Sequence, residues 1–358
     1  NNALSLQTDL TKMRLHRNLV FTTIDSLMAI FNEGEYADKV VARALKKDKR
    51  WGSHDRKFVA ETIYEIVRWK RLYTEIAEVK EPFDRDKIWR IFAVWAVLRG
   101  YNLPDWKYFE DTPVRRIKGK FDELTKTRKF RESIPDWMDE LGVKELGEET
   151  WTKELAAQNE QAKVILRVNK LKTTKEKLRA ILMDLNIETE FHKDYPDALI
   201  LTERANVFLT DAFKDGLFEV QDASSQLVAY FLDVQPGMRV VDTCAGAGGK
   251  TLHLASLMEN KGQLIAMDLY ESKLKQLKIR AKRNGAFNIE PRVIESTKTI
   301  KKLHEKADRV LIDAPCSGLG VLKRNPDSKW KLQPEFIDNI RKVQAEVLEN
   351  YSKIVKPG

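Results

Sequence analysis

Residues 238–257 read Met238-Arg-Val-Val-Asp242-Thr-Cys244-Ala-Gly246-Ala-Gly248-Gly249-Lys250-Thr-Leu-His-Leu-Ala-Ser-Leu257. Met238–Val241 is a short apolar strand, the glycines form a tight turn, and a helix begins at about Lys250. The same rhythm continues downstream. Leu264–Met267 is a second strand ending at Asp268, and a helix follows to about Asn284. Arg309–Ile312 is a third strand ending at Asp313. Strands alternating with helices predict a parallel sheet, whose ligands bind at the carboxyl ends of its strands.

Upstream the texture differs. From Arg17 the apolar residues recur at helical spacing: Leu19, Val20, Ile24, Leu27, Met28 and Phe31, then Phe58, Val59, Ile63, Ile66 and Val67, then Ile88, Trp89, Ile91, Phe92, Trp95 and Leu98. Seven of the eight tryptophans precede residue 152, which suits a helical core better than base stacking. After residue 163 comes a β-α-β-β order: Val164–Val168, a helix capped by Thr173 or Thr174 with Glu176 placed for a capping box, Ile187–Phe191 and Ala198–Leu201. The expected architecture is therefore multidomain, α plus α/β. It comprises an all-helical domain over 14–150, a small α/β module with its linker over 151–234, and a Rossmann-like domain over 235–358. Residues 1–12 are polar and precede Met13, which could be the natural start.

Composition narrows the function. The chain has 358 residues and a formal charge of +9. Residues 1–234 carry 40 basic and 40 acidic side chains, so the whole excess lies in 235–358, with 23 against 14. A basic domain suits a polyanion such as RNA, or is a solvated lysine-rich surface. Arg115, Arg116, Lys118, Lys120, Lys126, Arg128, Lys129 and Arg131 pose the same choice, and so do Lys273, Lys275, Lys278, Arg280, Lys282 and Arg283. Two cysteines, Cys244 and Cys316, exclude a disulfide scaffold and point to the cytoplasm; five scattered histidines give no metal cluster, and no metal is expected. No stretch approaches the ~20 apolar residues of a membrane span. A monomer is expected.

The glycine turn admits three readings. A phosphate loop G-x-x-x-x-G-K-[ST] ends correctly at Gly249-Lys250-Thr251 but needs glycine at Cys244. A dinucleotide fingerprint has Gly246 and Gly248 but finds Thr251 at its third glycine. An S-adenosylmethionine loop needs glycines for close backbone approach and a helix N-terminus facing the ligand's carboxylate. Asp268 suits ribose hydroxyls, or a helix cap. The deciding motif is Asp308-Arg-Val-Leu-Ile-Asp313-Ala-Pro-Cys316-Ser-Gly318, followed by Leu322-Lys-Arg324-Asn-Pro-Asp327-Ser-Lys-Trp330. A strand delivers Asp313 and Cys316 to the crevice edge, where a cysteine beside basic groups acts as nucleophile or base.

These two motifs together resemble the RNA cytosine-5 methyltransferases of the RsmB/Sun type. Gly52–Phe58 and Tyr64–Trp69 are similar to the NusB-like domain of the bacterial rRNA members, and Phe218–Ser225 to the linker entering their catalytic domain. The resemblance implies S-adenosylmethionine as cofactor and RNA, most naturally 16S rRNA, as partner. A tRNA substrate, a non-catalytic RNA-binding assembly factor and a Rossmann oxidoreductase are the alternatives. It also implies Cys244, Ala245, Gly246, Ala247, Gly248, Gly249, Lys250, Asp268, Glu295 and Asp313 at the donor, with Glu295 nearest the adenine. Asp313, Lys250 and Cys316 fall at the chemistry, and Arg324 and Asp327 at the substrate. Three departures stand out. The acid that usually meets the adenine after the third strand is not obvious here, with Glu295 the best candidate. Ala-Gly-Ala-Gly-Gly replaces the Ala-Ala-Pro-Gly-Gly of many relatives. The family's nucleophile lies in a Thr-Cys-Ser motif after a further strand, so Cys316 matches only the accessory cysteine that assists product release. Because a sheet cut at Gly358 would expose an edge, the natural chain is expected to continue and to carry that nucleophile.

Overall fold

The computed structural model describes residues 14–358; the expectations for residues 1–12 and Met13 fall outside them. By compactness the described chain forms two units. One runs through Ala162 and includes Ser317–Ile337. The other comprises Lys163–Cys316 and Asp338–Gly358.

The first unit is helical: α1 (Arg17–Asn32), α2 (Ala37–Ala44), α3 (Ser53–Arg68), α4 (Lys70–Ala77), α5 (Arg85–Leu98), α6 (Val114–Leu124), α7 (Arg128–Arg131), α8 (Asp136–Leu146) and α9 (Glu148–Asn159). The apolar stripes read from the sequence are its core. Leu19, Val20, Ile24 and Leu27 of α1 and Val59, Ile63, Ile66 and Val67 of α3 are all buried. Helix α5 is buried on nearly every side, from Ile88 through Val97. The Asp84 carboxylate caps it by accepting from the Lys87 amide at 2.8 Å. Trp51, Trp69, Trp89 and Trp95 are buried, and Trp89 stacks on Tyr108 with ring centres 4.2 Å apart. The tryptophans thus fill the core.

The second unit contains two sheets. In the antiparallel one, β1 (Ile165–Val168), β2 (Thr189–Phe191), β3 (Ala198–Leu201) and β4 (Phe218–Val220) lie in the order β2-β3-β1-β4. Helix α10 (Lys175–Asp184) is capped by Thr174, whose hydroxyl accepts from the Lys177 amide at 3.3 Å. That cap puts Lys177 rather than Glu176 at the third helical position, so the expected capping box does not form. The stretch read as a linker supplies β4, with Leu166 opposite Val220 and Val168 opposite Phe218. The short helices α11 (Asp211–Lys214) and α12 (Ala223–Phe231) flank it.

The parallel sheet has the order β7-β6-β5-β8: β5 (Arg239–Asp242), β6 (Gln263–Asp268), β7 (Ile289–Val293) and β8 (Arg309–Leu311). Helices α13 (Gly249–Leu257) and α14 (Glu271–Asn284) alternate with its strands, and α15 (Thr297–Lys301) lies between β7 and β8. Strand β7 was not expected from the sequence because Pro291 interrupts it. An edge strand tolerates proline, and β7 stands at the end of the order. Two helices complete the chain: α16 (Ser328–Lys331) and α17 (Pro334–Tyr351). Among the described residues no helix is long and apolar enough to cross a membrane, and no group of three or more His, Cys, Asp or Glu is placed to hold a metal ion.

Candidate active site

Parallel strands deliver their ends to one edge. Asp242 lies opposite Ala266 of β6 and Leu311 of β8. Asp268 and Asp313 each follow those partners by two residues, so the three carboxylates arrive at the same edge of the sheet.

The glycine turn is held on each side. Gly248 has φ +90°, and a Cβ there would lie 2.8 Å from the Leu277 side chain, so both the backbone and the packing demand glycine. Gly246 has φ +55° with open space around it, so only its backbone does. The Ala245 amide donates to the Met267 carbonyl (2.8 Å) and the Gly248 amide to the Ala245 carbonyl (2.9 Å). Asp268, 8% exposed, accepts from the Gly246 amide (2.8 Å) through one oxygen and from the Tyr270 amide (2.9 Å) through the other. Its carboxylate therefore fixes the turn before any ligand arrives, leaving the remaining lone pairs for hydroxyl groups.

Asp242 is buried and accepts from the Thr251 hydroxyl at 2.7 Å. Burial pushes its carboxyl up to about 6, against the pull of the Thr251 and Cys244 bonds. Burial, with Asp242, Asp268 and Asp313 nearby, pushes the Cys244 thiol up to about 11. Cys244 is thus a protonated, inert thiol at neutral pH. The Lys250 ammonium donates to Asp313 at 2.6 Å, with the lysine side chain 21% and the aspartate 45% exposed. Cys316 is free and exposed, three residues further along a loop pinned by the Gln344 amide to the Pro315 carbonyl at 2.9 Å.

Beyond the ends of β6 and β7 opens a cavity of about 320 Å³, with Leu269, Ile294, Ile300 and Tyr351 as apolar walls and Glu295 on its rim. Glu295 lines this cavity together with Ser296, Thr297, Lys301, His304 and Glu346. Leu269 and Tyr351, which also line it, belong to no motif in the sequence. A larger open hollow of about 980 Å³, along Val310 and Ile312, includes none of the candidate residues.

Other candidates are placed elsewhere. Asp327 is 4% exposed in the helical unit. Its carboxylate accepts from the Ala37 amide (3.0 Å) and from Lys331 (2.9 Å). Residue Tyr36 at the start of α2 offers no side-chain cap, so Asp327 caps that helix from a distant part of the sequence. That is a structural task, not substrate lining. Arg324 lies half-buried in the turn before α16 of the same unit. About half of the residues in the two basic runs are engaged in ion pairs. Arg116 and Lys120 meet Glu78, Arg128 meets Asp139 and Glu148, and Lys129 meets Asp136. Arg280 and Arg283 meet Glu219, and Lys275 meets Glu271.

Residues 229–358 match the family model of the 16S rRNA methyltransferase RsmB/F, and residues 134–208 match the RsmF/B-like ferredoxin-like domain. A probable ribosomal RNA small subunit methyltransferase B of Synechocystis sp. is 30% identical, with 93% of this chain and 82% of that protein covered. Its counterpart in Bacillus subtilis is 34% identical over 72% of this chain, and there the chain spans only 55% of the relative's length. The crystal structure of PH0851, 26% identical, superposes with a TM-score of 0.79 over 97% of this chain and 85% of that one. On its glycine loop, its Asp-Ala-Pro-Cys-Ser-Gly segment and this similarity along nearly its whole length, the chain belongs to the RsmB/Sun-type family of bacterial rRNA methyltransferases.

Proposed function

We propose that the chain holds S-adenosylmethionine against the glycine turn and that the full-length protein methylates carbon 5 of a cytosine in 16S rRNA. The observation carrying this reading is the convergence of the turn, Asp268 and the Lys250–Asp313 pair on one edge of the parallel sheet. The site suits the donor. Open space over Gly246 admits close approach, Asp268 keeps lone pairs for the ribose, and the cavity of Leu269, Ile294 and Tyr351 suits an adenine, with Glu295 for its amine. When bound, S-adenosylmethionine supplies an electrophilic methyl group.

The protein's part is to make carbon 5 nucleophilic. Thiolate addition at carbon 6 converts cytosine to an enamine-like species. After methylation a base takes the carbon 5 proton, its electron pair re-forms the carbon 5–carbon 6 double bond, and the carbon–sulfur bond breaks to release the thiolate. Asp313 holds the exocyclic amine and ring nitrogen 3, and Lys250 keeps that carboxyl group in place. Cys244 is too deeply protonated to attack. Exposed Cys316 assists release of the product; the attacking thiolate of this family lies in a Thr-Cys-Ser motif, which does not occur in residues 1–358. The base must be unpaired to enter, so an rRNA loop or unfolded segment is the substrate. We assign the helical domain (14–150) as NusB-like and RNA-binding, 151–234 as the RNA-binding module and 235–358 as the transfer domain of a cytoplasmic monomer. Calorimetric titration tests the donor assignment. Saturable binding of S-adenosylhomocysteine, lost in Gly248→Val, and no binding of NADH are expected; NADH binding, or no binding of either, would overturn it.

A further inference from the structure

We propose that Arg167 and Arg280 are positioning residues for the methyl-donor turn, Arg167 held by Gln221 and Arg280 by Glu219 of the small antiparallel sheet. The inference rests on the donor assignment above. Arg167, on β1, is 2% exposed. Its guanidinium donates to the Gly249 carbonyl and, at 2.6 Å, to the Gln221 side chain. Arg280, on α14, donates to the Ala247 carbonyl at 2.8 Å and to Glu219 at 2.9 Å. Glu219, on β4, is 3% exposed and also accepts from Asn284 at 2.6 Å and from Arg283. The two carbonyls held are those on either side of the Gly248 carbonyl. Each peptide unit is planar, with its N–H opposed to its C=O. Fixing the carbonyls of Ala247 and Gly249 therefore fixes the Gly248 amide on the Ala245 carbonyl, which closes the turn, and sets the direction of the Lys250 amide in the first turn of α13. The first-turn amides of α13 lack intrahelical acceptors and are free for a ligand.

The charge pattern makes the point independently. A buried cation beside a helix N-terminus lies against the positive end of the helix dipole. Stability of α13 alone does not call for Arg167 there, and burial pushes its guanidinium down to about 10. An anionic ligand group at the turn does call for it. The carboxylate of the donor's amino-acid end is such a group, and two guanidinium groups behind the loop strengthen the field it meets. The antiparallel module therefore takes part in donor binding, through residues whose only visible sequence signal is charge.

The test titrates S-adenosylhomocysteine and a 16S rRNA fragment separately into the wild type, Arg280→Met and Arg280→Lys. Arg280→Met is expected to weaken S-adenosylhomocysteine by about tenfold. Arg280→Lys, which reaches either Ala247 or Glu219 but not both, should recover part of that loss while melting at the wild-type temperature. RNA affinity should stay unchanged in both. In the full-length enzyme the KM for the donor should rise while kcat at saturation holds. Lost RNA affinity with intact donor binding would overturn the proposal in favour of a phosphate contact on α14. Unchanged donor affinity in folded Arg280→Lys and Arg280→Met would also overturn it. If Arg280→Met does not fold, Arg280→Lys alone decides. Failure of the wild type to bind S-adenosylhomocysteine would instead remove the donor assignment, and the proposal with it.

Discussion

The two motifs that identify the family are held in different ways. The glycine segment, Asp242–Thr251, begins and ends in one compact unit, and its turn is tied to β6 and Asp268 and braced by Arg167 and Arg280. The second segment starts there, with Asp313 on Lys250, but leaves after Cys316. From Ser317 to Ile337 it belongs to the helical unit. Leu322 joins a small core there with Ile134, Met138 and Leu155. Asp327 caps α2, and Trp330 donates to the Val67 carbonyl at 2.6 Å. Lys329 is buried, so desolvation, with Arg68 nearby, drives its ammonium well below the usual lysine range. The comparison teaches that similar-looking signatures are built differently: one, the glycine cradle, folds within a single compact unit, while the other passes from a short exposed stretch into a buried anchor of the helical unit.

The sharpest test of that division is Asp313→Ala in the full-length enzyme. Labelled-methyl incorporation into a 16S rRNA fragment should fall roughly 10²–10³-fold with RNA affinity retained; activity within a few fold of wild type would remove Asp313 from the chemistry. Acidity should act on the cradle next. The Asp242 carboxyl rises from 3.8 to about 6, so the folded state holds the proton more tightly, and this group's stability contribution is lost as pH rises through that window. Buried His253, bonded at 2.7 Å to Asp197, is pushed by burial from 6.5 down to about 4, so its contribution is lost as pH falls from 6.5 to 4. Each is worth ~3 kcal/mol and they oppose one another. Urea unfolding of Asp242→Asn should therefore show stability gaining on the wild type between pH 4 and pH 6. A gain in the opposite direction would contradict the buried-carboxyl account.

The anchor should respond to Trp330→Ala, which removes the Val67 hydrogen bond and a half-buried ring. A loss of about 2 kcal/mol of unfolding free energy is expected, with S-adenosylhomocysteine affinity within about twofold of wild type. A large loss of donor binding would blur the distinction between cradle and anchor. The smallest effect is expected at Cys244. Cys244→Ser should bind S-adenosylhomocysteine within about twofold, and iodoacetamide at pH 8 should modify exposed Cys316 while sparing Cys244, as peptide mass mapping would show.

Most of the architecture was legible because its signals are local. Helical stripes such as Leu19–Leu27 and the strands ending at Asp242 and Asp268 follow from side-chain periodicity and turn chemistry. The site's edge was legible for the same reason: parallel strands bring their terminal acids together wherever the helices between them pack. What escaped depends on partners far along the chain. Strand β4 is three residues, too short to show alternation, and exists because β1 pairs with it. Pro291 hides β7. Asp327 was read with the substrate residues because it stands near Cys316 in sequence, yet its partner is Ala37. Arg280 and Arg283 look like a basic surface until Glu219, some sixty residues upstream, is seen to bind both.

The central claim is that the cradle presents a methyl donor to a cytosine held by Asp313. The most direct measurement incubates the full-length protein and 16S rRNA with S-adenosylmethionine isotopically labelled in its methyl group, then analyses the nucleosides by mass spectrometry. The account predicts that the label appears in 5-methylcytidine and disappears with Asp313→Ala. Label in a different nucleoside, or none although the donor binds, would contradict it.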